Sequence, residues 1–234
     1  MPTGTAIDSA RVQRLVAEIA GGQARPFARP SVRGSRLVVN TSARHMHVSP
    51  EHLRILFGPD AELTPMRRLY QTGQFASEQT VDLIGPRRRL LKGLRILGPV
   101  RPATQIELAF SDAINLGIDA PVRMSGDTAG TPGAIVLGPA GHVELGEGII
   151  RARRHVHMAL DDAREYGVNH GDALDLVVEH PTCPIVLEQV MVRVHADFKL
   201  EVHIDTDEGN ACDLSHATAV RLRKASRPVA GVST

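Results

Sequence analysis

The sequence is poor in aromatic residues and in cysteine, and its charges almost cancel. It has no tryptophan, aromatic residues make up 3% of its 234 positions, and the formal net charge is +1. Proteins that bind single-stranded nucleic acid need aromatic platforms and a basic groove, so nucleic acid is not expected as a partner. The two cysteines, Cys183 and Cys212, cannot form a disulfide framework, which is typical of a reducing compartment.

Long hydrophobic runs are also absent. No stretch approaches the roughly 20 consecutive apolar residues of a membrane-spanning helix, and the N-terminal residues lack the apolar core of a secretory signal. We therefore expect no membrane association and a cytoplasmic location. Apolar residues make up 42% of the chain and charged residues 23%, as in ordinary globular proteins, and the length allows one large domain or two small ones.

The two ends of the chain differ in pattern from its middle. Residues 8–20, DSARVQRLVAEIA, place apolar residues at helical spacing, which predicts an amphipathic helix within residues 1–22. Residues 23–35 are rich in Gly, Pro and Arg and lack periodicity, so they are predicted to be a flexible linker. Residues 215–234 show no pattern and are predicted to be a loose tail.

The middle of the chain consists of short β-rich runs broken by Gly-Pro pairs. The segments VDLIGPRRRL and IVLGPAGHVEL share one pattern of strand, turn and strand, which indicates an internal duplication. We predict a mainly β protein with two β-barrel repeats, residues 36–120 and residues 121–214, each capped by short α-helices and preceded by the separate N-terminal helix.

Each predicted repeat contains one Arg-His-x-His segment, in SARHMHVSPEHL and in RRHVHMALDDA. Residues i and i+2 of a strand point to the same face, so the two histidines of each segment lie side by side. Paired imidazoles suit a metal ion, but each pair needs at least one further ligand, for which two other strand residues are candidates. The candidate ligands are His45, His47, His155, His157, Glu107 and His203.

Motifs spread from Val38 to Leu214 resemble those of the PduL-type phosphotransacylases, also called phosphate propanoyltransferases. In order they are SARHMHVSPEHLRILFG, ELTP, GQFASEQTVDLIGP, RILGPVRPATQIE, SGDTAGTPG, RARRHVHM and EVHIDTDEGNA. The resemblance implies two β-barrels with helical caps and strands that cross between the halves. It also implies a phosphate acyltransferase that interconverts short-chain acyl-CoA (propanoyl-CoA, or acetyl-CoA) and phosphate with acyl phosphate and CoA.

The resemblance further implies a centre with two divalent metal ions, usually zinc, between the barrels. One ion would be held by three histidines and leave a position for the CoA sulfur, and the other would be held by two histidines and a carboxylate: His155, His157 and His203 for the first, His45, His47 and Glu107 for the second. Arg101, in GPVR, matches the family's arginine beside this pair and is predicted to clamp phosphate as a catalytic residue. Arg44, Gln74 and Phe75 are predicted to contact CoA, although Arg44 is also suited to pairing with a carboxylate and Phe75 to packing in a core.

Many members of this family lie inside bacterial microcompartments, where they serve propanediol degradation. The predicted N-terminal helix and its linker resemble the peptide that directs them there, so we expect a location in the microcompartment lumen with shell or core proteins as partners. The resemblance also implies a homo-oligomer. Two other functions stay open: a two-metal thioester or acyl-phosphate hydrolase would use the same ligands, and so would a structural metal-binding protein.

Overall fold

The structure, a computed structural model, describes residues 37–225; the predicted N-terminal helix and its linker lie outside the described residues. Two curled half-barrel sheets and four short α-helices form the described chain, which confirms the prediction of a mainly β, duplicated barrel-like fold. The strands are β1 Val38–Ser42, β2 His45–His47, β3 Pro65–Arg68, β4 Phe75–Ile84, β5 Leu90–Gly98, β6 Gln105–Glu107, β7 Val122–Arg123, β8 Ala134–Leu137, β9 His142–Leu145, β10 Ile149–Ala152, β11 His155–Met158, β12 Ala173–Glu179, β13 Ile185–Val194, β14 Glu201–Asp205 and β15 Ala219–Lys224. The helices are α1 Pro50–Phe57, α2 Phe110–Leu116, α3 Leu160–Tyr166 and α4 Thr206–Ala211, followed by a 3₁₀ turn at Leu214–His216.

The two sheets repeat the same topology. The six-stranded sheet has the order β1-β14-β11-β13-β12-β15, and six neighbouring strands of the nine-stranded sheet have the order β10-β6-β2-β5-β4-β8. Read in this order, both series pair in the sequence parallel, antiparallel, parallel, antiparallel, antiparallel. Such agreement in order and direction is the structural counterpart of the duplication seen in the sequence.

The repeats exchange their first strands. Strand β1 directly precedes β2 in the chain but pairs with β14 of the six-stranded sheet, and β10 directly precedes β11 but pairs with β6 of the nine-stranded sheet. Each Arg-His-x-His segment therefore lies where the chain passes from one sheet to the other. The exchange holds the two sheets together.

The strands after the predicted repeat boundary at residues 120 and 121 divide between the two sheets. The nine-stranded sheet takes its strands from residues 45–152 and so includes β7 to β10, whereas β11 to β15 belong to the six-stranded sheet. The residues predicted to be a loose tail include strand β15. Strand β15 pairs with β12 over six positions and buries Val220 and Leu222, so the region 219–224 is not loose. Residues 226–234 lie outside the described part of the chain.

Each sheet encloses its own apolar core, and the residue between the two histidines lies in it. Met46 is fully buried and faces Ile96 and Ile106 on the flanking strands. In the second repeat Val156 occupies the equivalent position between Val192 and Val202. Burial of each such side chain contributes about 1.5–3 kcal/mol to folding. Since neighbouring residues in a strand point to opposite faces, this anchoring turns both histidines of the segment away from the core.

Short helices follow the histidine strands because the sequence supplies caps. Ser49 accepts a hydrogen bond from the His52 backbone and Pro50 occupies the first turn of α1. Helix α3 ends at Gly167, whose φ of 63° is in the left-handed region that favours glycine. Among the described residues no helix combines the length and apolar character needed to cross a membrane.

Candidate active site

The four histidines of the two Arg-His-x-His segments are buried side by side. The rings of His45 and His47 on β2 lie 5.0 Å apart, and those of His155 and His157 on β11 lie 4.8 Å apart, measured between ring centroids. Each ring belongs to a residue less than a tenth exposed. The predicted geometry of paired imidazoles on one strand face is therefore present in both repeats.

A third residue joins each pair from the neighbouring antiparallel strand. Glu107 on β6 is the register partner of His45, and His203 on β14 is the register partner of His155. The structure therefore brings the predicted ligands into two clusters, in each of which the ligand atoms lie within 4.8 Å of one another. We name them the Glu cluster (His45, His47 and Glu107) and the His cluster (His155, His157 and His203). Glu107 and His203 occupy equivalent places in the two repeats.

Several ring nitrogens in the clusters have no hydrogen-bond partner. Nδ1 of His45 contacts the Ala43 carbonyl at 2.8 Å and Nδ1 of His155 contacts the Arg153 carbonyl at 2.9 Å, which leaves the Nε2 atoms of these rings toward the clusters. By contrast, Nδ1 of His47 and both ring nitrogens of His157 are buried and unpaired. Buried polar atoms are rarely left unpaired, so these atoms fit a site that binds a ligand.

Burial also favours the neutral, metal-binding form of the histidines. Burial and, to a smaller extent, the positive charge of neighbouring groups together lower the pKa of His47 and that of His155 to about 3 and that of His157 to about 2. Burial alone would raise the pKa of Glu107, but His45, His47 and the Ser125 hydroxyl outweigh it and lower this pKa. At neutral pH His47, His155 and His157 thus present imidazole lone pairs and Glu107 presents a carboxylate, which are ligands that divalent metals prefer.

Two half-buried arginines lie at the clusters. Arg101, the predicted catalytic residue, donates from Nη1 to Ser125 Oγ at 3.2 Å, and Ser125 Oγ also accepts from Gln105. Arg193 on β13 is the register partner of His157. Burial lowers the pKa of both guanidinium groups and the Glu107 carboxylate raises it, which places both arginines within electrostatic reach of that carboxylate. The charge of His155 also lowers the pKa of Glu107, so a residue of the His cluster acts electrostatically on the Glu cluster.

The three predicted CoA contacts lie outside the clusters. Arg44 is about half exposed and pairs with Asp112 of α2 at 2.9 Å. The Gln74 backbone closes a turn with Leu69 and Gln71. Phe75 packs its ring against Gly98, where an added Cβ would lie 2.2 Å from the ring, so no side chain fits at Gly98. Gln74 therefore supports the turn and Phe75 the strand end from which the Arg101 loop departs, and the role of all three residues in CoA binding stays a prediction.

Sequence reasoning missed four polar residues next to the clusters. Gln105 and Glu201 each precede a cluster residue by two positions in a strand, so the alternation of a strand could have identified both. Arg193 reaches the His cluster through strand pairing, and Gln71 reaches Glu201 through a long-range contact. The sequence holds no local signal for either. Gln71, rather than the predicted Gln74, is the buried glutamine of this turn and reaches Glu201 at 2.7 Å.

The matching family model and the similar known proteins carry the same description. The family model described as phosphate propanoyltransferase matches residues 38–215. A phosphate propanoyltransferase of Planctopirus limnophila is 57% identical over 188 residues, which cover 80% of this chain and 77% of the relative. That of Thermotoga maritima is 45% identical over 80% of this chain and 88% of its own. That of Rhodobacter capsulatus is 41% identical over 91% of this chain and 97% of its own.

Proposed function

The chain belongs to the phosphate propanoyltransferase family and is an acyltransferase, and from this premise we propose that it transfers short acyl groups between CoA and phosphate at a two-metal site. The substrates are propanoyl-CoA, with acetyl-CoA as a second acyl donor, and inorganic phosphate. The observation that carries the proposal is the pair of buried ligand clusters beside two arginines.

The residues of both clusters fit divalent metal ions. Three imidazoles in the His cluster and two imidazoles with a carboxylate in the Glu cluster are donor sets typical of zinc, and the unpaired buried nitrogens would gain a partner. Two bound ions would act as Lewis acids that stabilise negative charge on the departing thiolate and on the phosphate. The softer, nitrogen-only set of the His cluster suits the sulfur, and the Glu cluster suits oxygen.

Arg101 and Arg193 supply positive charge for the phosphate. Guanidinium groups bind phosphate oxygens through two parallel hydrogen bonds, and Ser125 and Gln105 orient the Arg101 side chain. We infer a direct attack: a phosphate oxygen bonds to the acyl carbon, the carbon–sulfur bond breaks, and its electron pair leaves with the CoA sulfur. The arginines favour phosphate over water as the nucleophile, which separates this function from the hydrolase.

An acyl-enzyme on Cys212 is not part of the proposal. Its side chain is fully buried and the thiol lies 3.3 Å from the Glu208 carbonyl. Burial raises the pKa of this thiol, so the nucleophilic thiolate is disfavoured. Direct transfer therefore needs no covalent intermediate.

The experiment is an assay of CoA release from propanoyl-CoA and acetyl-CoA, with and without phosphate, on protein of known metal content. We expect release that requires phosphate and yields acyl phosphate in equal amount. Release at the same rate without phosphate would instead identify the hydrolase. Metal loss that unfolds the chain, with no turnover in any assay, would identify a structural metal protein.

The partners and the location remain part of this proposal. An amphipathic N-terminal helix within residues 1–22 would direct the enzyme into a microcompartment, and deletion of residues 1–34 should preserve activity but remove the enzyme from shell fractions. Phe110 and Ile114, one turn apart on α2, are each about half exposed, which supports a homo-oligomer through this helix. Light scattering of a Phe110→Asp variant tests the second point by loss of the oligomer.

A further inference from the structure

Glu201 is a carboxylate buried beside the His cluster that the proposed chemistry does not use. It is 1% exposed and lies two positions before His203 on β14, so both side chains lie on one face of the strand. Glu201 is also the register partner of His157. A buried carboxylate is costly unless polar groups surround it, so its presence needs a specific explanation.

Residues from both repeats hold the Glu201 side chain. Asn40, on the exchanged strand β1, donates to Oε1 at 3.1 Å, and Gln71, from the turn before β4, donates to Oε2 at 2.7 Å. Gln71 is itself fixed by the backbone of Lys199, with which it exchanges two hydrogen bonds. Both carboxylate oxygens of Glu201 therefore accept a hydrogen bond from a side-chain amide, one from each anchor residue.

The held oxygen faces the ring of His203. Oε2 lies 3.0 Å from Nε2 of His203, which is ion-pair distance, although the two atoms do not meet the criteria for a hydrogen bond. Hydrogen bonds at such sites often tighten only when the ligand is bound. Glu201 does not belong to the group of atoms that could hold one ion, which consists of the three histidines. Its oxygen therefore contacts a cluster ring from outside the cluster.

From this geometry we propose that Glu201 is a positioning residue for the metal at the His cluster, anchored across the repeat boundary by Gln71 and Asn40. It accepts from Nε2–H of His203 and so fixes the orientation and tautomer of the ring, which leaves the other ring nitrogen for the metal. The Glu cluster lacks this device, because the equivalent position holds Gln105, whose amide donates to the Glu107 carboxylate at 2.7 Å. The inference rests on the proposed function, because it requires a metal at the His cluster.

The test measures how firmly the full-length protein retains zinc against a chelator of known affinity, with zinc counted by elemental analysis. Wild type is expected to retain two ions per chain. The Glu201→Gln variant keeps the shape of the side chain but removes its charge, and we expect one of the two ions to be held about 10–100-fold more weakly. In a His203→Ala background the same change should have no further effect on the ion that remains.

Asp175→Asn is the matched control. Asp175 is another fully buried carboxylate of the six-stranded sheet, on β12, and it pairs with Arg223. We expect this variant to retain both ions as wild type does, even where its melting temperature falls. Equal weakening in Asp175→Asn and Glu201→Gln, or no weakening in Glu201→Gln, would overturn the role of Glu201.

Two further outcomes separate this inference from the proposed function. A wild-type protein that is active without bound metal would refute the two-metal site itself, whereas two firmly bound ions in both wild type and Glu201→Gln would refute only the positioning role. Should Glu201→Gln fail to fold, Gln71→Ala decides, because it keeps the carboxylate and removes one anchor. It should weaken the same ion by a smaller factor, and unchanged retention would again overturn the inference.

Discussion

The two ligand clusters are built on equivalent strands of a duplicated fold, yet they differ at two equivalent positions. The Glu cluster has a glutamine followed two residues later by the carboxylate that joins the cluster, Gln105 and Glu107. The His cluster has a carboxylate followed two residues later by the imidazole that joins it, Glu201 and His203. The carboxylate is therefore a member of the cluster in the first repeat, whereas in the second repeat it lies two residues before the cluster residue. Under the proposed function, this difference would suit the Glu cluster to oxygen and the His cluster to sulfur.

The largest effect should come from removing one of the two histidines, His45 and His155, that occupy equivalent positions in the two clusters. His155→Ala should lose one of the two ions and lower kcat/KM by about 10³-fold, because the stabilisation of transition-state charge by one metal ion is worth several kcal/mol. Elemental analysis and the assay of CoA release measure both. The exposed His142 on β9 is the matched control, and His142→Ala should change neither quantity. Full activity of His155→Ala would remove the basis for distinguishing the clusters.

A more selective change gives the Glu cluster three imidazole ligands, as in the His cluster. Glu107→His should still bind an ion but lower kcat about 10–100-fold, because a nitrogen-only set no longer favours oxygen of the phosphate and the Gln105 amide loses one of its two acceptors. We would measure zinc content and the steady-state constants for phosphate and propanoyl-CoA. The idea that the two clusters have different roles would be wrong if this variant retained wild-type kcat.

The arginines should affect phosphate more than CoA. Arg101→Lys keeps the charge but loses the paired hydrogen bonds, so we expect the KM for phosphate to rise about tenfold, a loss of about 1.4 kcal/mol, with the KM for acyl-CoA unchanged. Arg193→Lys should show a similar bias. Initial rates at varied phosphate give the result, and an equal rise in both KM values would argue against phosphate binding.

The smallest effect concerns two surface ion pairs in equivalent places. Arg44 pairs with Asp112 at 2.9 Å and Arg154 pairs with Glu208 at 2.9 Å. Replacing either arginine by alanine should cost less than about 1 kcal/mol of unfolding free energy, as expected for partly exposed pairs. Thermal unfolding measures this, and the KM for acyl-CoA distinguishes the roles. A rise in that KM for Arg44→Ala alone would support the predicted CoA contact of Arg44.

The parts of the site that the sequence predicted are those carried by short, local patterns. The His-x-His segments, Glu107 and His203 each lie on a recognisable strand, and the family motifs supplied the grouping. Local patterns do not identify β1 and β10 as the exchanged strands, because strand pairing depends on contacts between distant residues and is not encoded in local periodicity. For the same reason Arg193 and Gln71 could not be found, while Glu201 could have been recognised from its place two residues before His203.

The most direct test of the central claim is the metal content of purified, catalytically active protein, determined by elemental analysis beside the protein concentration. Two divalent ions per chain, falling to one in His155→Ala and in His45→Ala, is the result that two separate clusters predict. Active protein that contains no bound ion, or that keeps both ions after either substitution, would contradict the account.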